Sequence, residues 1–275
     1  MSSRSFFSFV FLLLLTSCGH VFYQPIKGAL FAPERVGLTP EEVWLTASDG
    51  TKLLGWAFRA QDPKGTILHF HGNAENMSSH FLNLAWVIKE GFDLLVFDYR
   101  GYGFSEGTPS RLGIYGDALA ALEWGHADHK KRGTKHFIVY GQSLGGIISA
   151  RALVDFPRAS AVSLFVQDST FGSYQGMARA VLGRRVWLWP FYPLAYLAVD
   201  DELASAPVMG KLSMPVLGIH ATKDSVVPYA LGKENFARVK TPKWWWRLPK
   251  GQHTDVFHHA AGTYRRKFLE LIDQL

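Results

Sequence analysis

The most constraining stretch of the chain is residues 137–156, which read as a strand, a tight turn and a helix. Residues 137–140 are Phe-Ile-Val-Tyr, a short apolar run of the kind a buried strand carries. Residues 144–156 have helical character and are followed by Pro157, which cannot continue a helix. At the junction lies Gly141-Gln142-Ser143-Leu144-Gly145, a G-x-S-x-G pattern. Flanking glycines remove Cβ atoms that would strike the neighbouring strand and helix, so the serine can be held in a strained turn. Its hydroxyl then stands at a helix N-terminus, where main-chain N–H groups favour developing negative charge. A bare G-x-S-x-G arises often by chance. The strand before it and the helix after it make Ser143 a candidate nucleophile.

A serine hydroxyl is a weak nucleophile and needs a base. Where it sits on such an elbow, an acid and then a histidine follow it in the chain. Of the eleven histidines, His20, His69, His71, His80, His126, His129 and His136 precede Ser143 and fall outside that order. His220 lies within an apolar strand pattern, and His258 and His259 fall inside the expected closing helix. His253 follows the last expected strand, in a loop that can aim an imidazole at the strand ends, and is the candidate base. Asp224, in the loop after the preceding strand, is the candidate acid that would fix the His253 tautomer. Asp168, one strand earlier, is the second choice. The oxyanion of an acyl-transfer intermediate needs two main-chain donors. Leu144 supplies one, and the loop His71-Gly72-Asn73-Ala74 supplies the other, Asn73 being preferred and Ala74 the alternative.

Around this centre, strand and helix patterns alternate. Strands are expected at 43–47, 53–59, 66–70, 92–97, 136–140, 161–167, 214–220 and 244–248. Helices are expected at 77–89, 109–124, 144–156 and 255–272. Continuous apolar strands separated by helices predict an α/β fold, a mostly parallel sheet of about eight strands covered on both faces. Residues 171–207 break the rhythm and carry Trp187, Trp189, Phe191, Tyr192 and Tyr196, which predicts a helical cap inserted over the sheet. Residues 18–40 hold Pro25, Pro33 and Pro40 without periodicity and read as a tether, leaving 41–275 as the folded domain.

The formal net charge of +6 is spread along the chain and no nucleic-acid module is present, so a nucleic-acid partner is not expected. His69 with His71, and His126 with His129, lack a third ligand nearby in sequence, so no metal is expected; nor does the chemistry call for a cofactor. The single cysteine, Cys18, cannot close an internal disulfide. It follows a basic residue, Arg4, and an uncharged run at 6–15, which fits a signal peptide and is too short for a membrane span. Leu15-Thr16-Ser17-Cys18 resembles the bacterial lipobox. That resemblance implies removal of residues 1–17 and acylation of Cys18, and so a lipid-anchored protein of the cell envelope outside the cytoplasm. Gly19, rather than Asp, follows the cysteine, which is compatible with the outer membrane in bacteria that sort on that residue.

Taken together, His71-Gly72-Asn73, the run from Asp98 to Ser105, the Ser143 elbow, Asp224-Ser225-Val226-Val227-Pro228 and His253 resemble the α/β-hydrolase superfamily. The early blocks are similar to its serine-aminopeptidase-like, abhydrolase-domain branch. Gln252 stands between Gly251 and His253, where members often join glycine and histidine directly. The resemblance implies a Ser143–Asp224–His253 triad, an oxyanion hole at Asn73 and Leu144, and hydrolysis of a small-molecule or lipid acyl substrate. A carboxylic ester is preferred; a peptide, aminoacyl amide or thioester is the alternative on the same triad. A non-catalytic binding protein on this fold is the alternative of another class. The aromatic cap and the lipid anchor favour an apolar acyl group. The glycines and Arg100 of the 98–105 run are read as structural, supporting the turn beneath the oxyanion loop.

Overall fold

The computed structural model describes residues 22–184, 199–258 and 262–275. In chain order its elements are β1 (Gln24–Pro25), β2 (Glu41–Thr46), β3 (Lys52–Phe58), β4 (Gly65–Phe70), β5 (Ala74–Glu75), α1 (Met77–His80), β6 (Phe92–Phe97), α2 (Arg111–Arg132), β7 (His136–Gln142), α3 (Leu144–Asp155), β8 (Leu164–Asp168), α4 (Tyr174–Gly183), β9 (Val216–Ala221), α5 (Tyr229–Ala237), β10 (Lys243–Leu248) and α6 (Thr263–Asp273). Eight strands form one sheet in the order β10-β9-β8-β7-β4-β6-β3-β2. β3 is antiparallel to β2 and β6, and every pair from β6 to β10 is parallel. The mostly parallel sheet expected from the sequence is present.

The five central strands are buried along their whole length because both faces of the sheet are covered. Side chains alternate between the faces: Phe137 and Val139 enter one apolar layer, Ile138 and Tyr140 the other. Ile114 and Leu122 of α2 and Ile147 and Leu153 of α3 fill the first layer. Phe81, Val87, and Phe268 and Ile272 of α6 fill the second. β4 pairs with β6 on one side and β7 on the other, so the strand order turns at β4. The loops after β4 and β7 therefore leave the sheet beside one another, and such a crevice is where open α/β sheets place ligands.

Several boundaries differ from the sequence pattern. Residues 77–89 do not form one helix: α1 is followed by 3₁₀ turns at Phe81–Asn83 and Ala85–Glu90. Phe81, Leu84 and Val87 are the fully buried residues here, and a spacing of three suits the 3₁₀ repeat better than the α repeat. α2 runs on to Arg132, where Gly133 closes it at φ 64°. The closing helix starts at Thr263 rather than 255, after Gly262 at φ 81°. That leaves His253 on a longer loop, folded by the Gln252 N–H donating to Asp255 Oδ2 at 2.7 Å. α5 was not anticipated.

The expected tether is also corrected. Phe22 and Tyr23 are buried in the core, and β1 pairs in parallel with β5. Asn76 Nδ2 donates to the carbonyls of Ile26 and Gly28, 2.9 and 2.6 Å away. The fold thus begins by residue 22 in place of 41. Of the expected cap, α4 and the segment from 199 are described. The five aromatic residues singled out there, and Cys18 with the rest of residues 1–21, lie outside the described residues.

Candidate active site

Ser143 sits between β7 and α3 with φ 52° and ψ −117°, a backbone conformation that costs a non-glycine residue energy. Its neighbours make the turn feasible. A Cβ on Gly145 would lie 2.0 Å from the Phe70 carbonyl oxygen, and one on Gly141 would lie 2.6 Å from Gly146 Cα. Both obstacles are main-chain atoms that cannot yield. Gly146 belongs to the same set, since its Cβ would meet Thr170 Cβ at 2.6 Å. The turn is then held by hydrogen bonds: Ser143 N–H donates to Asp168 O at 2.8 Å, and Thr170 Oγ1 donates to Ser143 O at 2.7 Å.

The loops after β9 and β10 bring the other two candidates to this serine. His253 Nε2 is 3.0 Å from Ser143 Oγ, and His253 Nδ1 is 2.8 Å from Asp224 Oδ2. A carboxylate only accepts, so Nδ1 carries the proton and Nε2 presents its lone pair to the serine hydroxyl. Asp224 Oδ1 accepts from the N–H groups of Val226 and Val227, each at 2.8 Å. Burial alone would raise the Asp224 pKa, but the donors from His220, His253 and Val227 outweigh it and hold the carboxyl well below its usual range. Asp224 is therefore an anion at neutral pH, aimed at one imidazole nitrogen.

Asp168 stands elsewhere. Its Oδ2 accepts from Tyr140 OH at 2.7 Å and its Oδ1 from Ser169 Oγ at 2.9 Å. Burial pushes its pKa up. Ser169 Oγ in turn accepts from Thr254 N–H at 3.1 Å, so Asp168 buttresses the residue next to His253 without bonding the imidazole itself.

The β4 loop lies against the serine: a Cβ on Gly72 would be 3.7 Å from Ser143 Cβ and 3.1 Å from His80 Cε1. Leu144 is the first residue of α3, where its N–H has no partner four residues back. Asn73 is fixed through its side chain, whose Oδ1 accepts from Gln24 N–H at 2.9 Å and Tyr102 OH at 3.2 Å. His71 is fully buried and its Nδ1–H donates to Gly72 O at 2.8 Å, so its ring braces the loop. His69 Nε2 donates to Gln142 Oε1 at 2.9 Å; burial drives its pKa far down, so it is neutral. The 98–105 run also holds the architecture. Arg100 bonds Asp117 and Asp49, with nearest approaches of 2.7 Å to each. Gly103, at φ 49°, leaves room for Asp98, whose Oδ2 would be 2.0 Å from a Cβ there.

A family model described as serine aminopeptidase, S33, matches residues 61–191, which include the elbow and the β4 loop. An α/β-hydrolase domain-containing protein of Arabidopsis thaliana, WAV2, is 30% identical over 271 residues, covering 92% of this chain and 86% of its own. The chain belongs to the α/β-hydrolase superfamily. The hydrolase is also 31% identical over 285 residues to YfhR of Salmonella typhi, an uncharacterized protein, with 96% and 94% of the two chains covered. The Pyrococcus furiosus esterase Pf2001 shares its fold at a TM-score of 0.71 and 18% identity, over 92% of this chain and 98% of that one.

Sequence reasoning missed three parts of this hydrolase's site. His220, set aside as a strand residue, places Nε2 3.4 Å from Asp224 Oδ2 and 3.0 Å from Val227 O. Its position four residues before the acid was the available signal. In the Tyr140–Asp168–Ser169–Thr254 chain only Asp168 was singled out, and as an alternative acid; Tyr140 and Thr254 stand too far from it in sequence to signal the link. The third is Gln24, which reaches Asn73 from outside the expected domain. Among the described residues, no group of three or more His, Cys, Asp or Glu is placed to hold a metal ion.

Proposed function

We propose that this chain is a serine hydrolase that cleaves a carboxylic ester or a related acyl bond through an acyl-enzyme on Ser143. The observation that carries the reading is the unbroken hydrogen-bond path from Ser143 Oγ through His253 to Asp224, starting at a strained serine. His253 Nε2 takes the serine proton as Oγ adds to the carbonyl carbon, and Asp224 stabilises the imidazolium that results. The N–H groups of Leu144 and Asn73 receive the oxyanion; one such donor is worth about 10²–10³ in rate. His253 returns the proton to the leaving group, and the acyl-enzyme forms. Water then repeats the sequence in reverse order and frees Ser143. Residues of the chain suffice for each proton transfer.

The lysophosphatidylserine lipase ABHD12 of Danio rerio is 32% identical over 221 residues, 72% of this chain and 56% of its own. This supports an ester over an amide, while the S33 aminopeptidase description keeps amides in the comparison. We read Cys18 as the acylated residue after removal of residues 1–17, which puts the hydrolase in the bacterial cell envelope. A fluorophosphonate probe tests the central claim. Labelling of the wild type that disappears in Ser143→Ala is expected; no labelling, or equal labelling of both, returns the chain to a binding role. A panel of esters of graded acyl length set against aminoacyl amides then separates esterase from peptidase.

A further inference from the structure

The tether is far shorter than the proline-rich sequence suggested. Phe22 and Tyr23 are already buried, and Cys18 precedes Phe22 by four positions in the chain. An extended chain spans at most about 3.6 Å per residue, which keeps the acylated residue within about 15 Å of Phe22. A tether running to residue 40 would have allowed about 80 Å by the same rule. Two residues beyond Tyr23, β1 lies on β5, and Gln24 N–H donates to the side chain of Asn73. Gln24, which bonds the oxyanion loop, is therefore within about 22 Å of the anchored residue.

The same segment carries an apolar face. Ile26 is 42% exposed, Leu30 45% and Phe104 56%. The backbone around Ile26 runs beside that around Phe104: Gly103 N–H donates to Ile26 O at 2.9 Å and Gly28 N–H to Gly103 O at 3.0 Å; Leu30, four residues on from Ile26, is tied to α1 by its N–H donating to Ser78 Oγ at 2.8 Å. Residues 22–30 contain no carboxylate and one lysine, Lys27; Glu75, paired with Pro25, is an exposed carboxylate beside them. Isolated exposed apolar side chains are ordinary, but Ile26 and Phe104 flank the Lys27–Gly103 backbone bridge and Leu30 follows in the same N-terminal segment.

We propose that the face bearing Ile26, Leu30 and Phe104 seats on the bilayer that holds Cys18, and that Ser143 consequently acts on acyl esters of lipids in that bilayer. The proposal rests on the serine-hydrolase and lipid-anchor readings. The bilayer is the partner because the segment bearing Ile26 and Leu30 begins four residues after Cys18, so it starts within about 15 Å of the attachment point.

The test uses the chain from Gly19, in wild-type form and with Ile26→Ser and Phe104→Ser together. Both are mixed with vesicles of phosphatidylethanolamine and phosphatidylglycerol that carry a fluorogenic palmitoyl ester. The wild type is expected to sediment with the vesicles and the double variant to partition on the order of tenfold less. Hydrolysis of the embedded ester should fall by a similar factor, while turnover of p-nitrophenyl acetate and fluorophosphonate labelling stay unchanged. A wild type that does not sediment, equal partitioning of the two forms, or an unchanged ratio of embedded to soluble ester turnover overturns the proposal. Absence of probe labelling would instead sink the hydrolase reading, since sedimentation reports the face whether or not Ser143 reacts.

Discussion

His220 Nε2 stands 3.4 Å from Asp224 Oδ2, the same oxygen that accepts from His253 Nδ1. The His220 ring is enclosed by Tyr229 and Trp245, at 5.7 and 6.3 Å between ring centroids. Gly232 makes the enclosure feasible, since a Cβ there would lie 2.1 Å from His220 Nδ1. Because Val227 O can only accept, His220 Nε2 carries a proton, which it shares between that carbonyl and the carboxylate. The candidate acid is thus oriented by imidazoles on two sides.

His220→Phe keeps a flat ring and removes that donor. Loss of a shared contact to an anion is expected to cost about 1 kcal/mol, or roughly fivefold in kcat, with KM little changed. The Asp224–His253 hydrogen bond itself remains in the variant, so the loss reports orientation of the carboxylate. The other groups facing this carboxylate, His253 and the N–H groups of Val226 and Val227, are unaltered in the variant, and Asp168 nearby remains bound to Tyr140 and Ser169. Steady-state kinetics against pH on the variant and on His220→Gln, which restores an N–H donor, distinguish orientation from simple packing.

The two carboxylates should separate sharply. Asp224→Asn leaves the shape but presents a donor to His253 Nδ1, which favours the wrong tautomer; kcat is expected to fall by about 10³–10⁴. Asp168 is buried and its pKa is raised, so asparagine resembles its neutral form. Asp168→Asn should stay within about tenfold of wild type, because it acts through Ser169 and Thr254. Single-turnover kinetics with one activated ester measure both variants.

The parts of this site that were legible in sequence are those with local signatures. The elbow is five consecutive residues, and Asp224 and His253 follow strands that carry their own apolar patterns. His220 was hidden because it sits in such a pattern. Its link to Asp224 exists only because the loop turns back, with Val226 and Val227 donating to the carboxylate. β1 was hidden for a different reason. It is two residues long and contains Pro25, and its partner lies near residue 74, so no periodicity could reveal it. The 3₁₀ turns were readable in principle: Phe81, Leu84 and Val87 repeat every three residues, but the neighbouring apolar Ala85 and Ile88 imitate a 3.6-residue stripe.

Acidification should weaken the fold through its buried histidines. Burial and the neighbouring His71 push the His80 pKa from 6.5 down to about 4. The unfolded chain therefore binds a proton that the folded chain refuses between those values, and stability falls as pH drops from 6.5 towards 4. His69 acts in the same direction. The expected result is a Tm that declines across this window, with a shallower decline in His80→Gln, measured by calorimetry from pH 7 to pH 4.

Two glycines should fail in different ways. Gly145→Ala drives a Cβ to 2.0 Å from the Phe70 carbonyl, so the β4–α3 contact must open. A loss on the order of 3 kcal/mol or more is expected, seen as poor soluble yield or a large fall in denaturation midpoint. Gly72→Ala meets His80 Cε1 at 3.1 Å and lies 3.7 Å from Ser143 Cβ, distances that side-chain adjustment can relieve. The fold should survive while the oxyanion loop shifts, lowering kcat by about tenfold or more. Comparing denaturation midpoint with turnover for each variant separates the two outcomes.

Removing the segment ahead of the expected domain should cost more than an anchor. A chain starting at residue 29 lacks Phe22, Tyr23 and β1. Asn76 Nδ2 then loses both carbonyl partners, and Asn73 Oδ1 loses the Gln24 N–H. Phe22 also packs edge-on against Tyr174 at the start of α4, with ring centroids 5.3 Å apart. Each fully buried aromatic contributes about 1.5–3 kcal/mol, so the truncation should lower the denaturation midpoint clearly. Gln24→Pro is the finer probe. It deletes one N–H and no packing core, so the midpoint should stay close to wild type. Turnover should still fall several-fold, because Asn73 keeps only the Tyr102 hydroxyl to hold its side chain. A wild-type kcat in Gln24→Pro would mean that the β1 backbone fixes the fold alone and leaves the oxyanion loop to position itself.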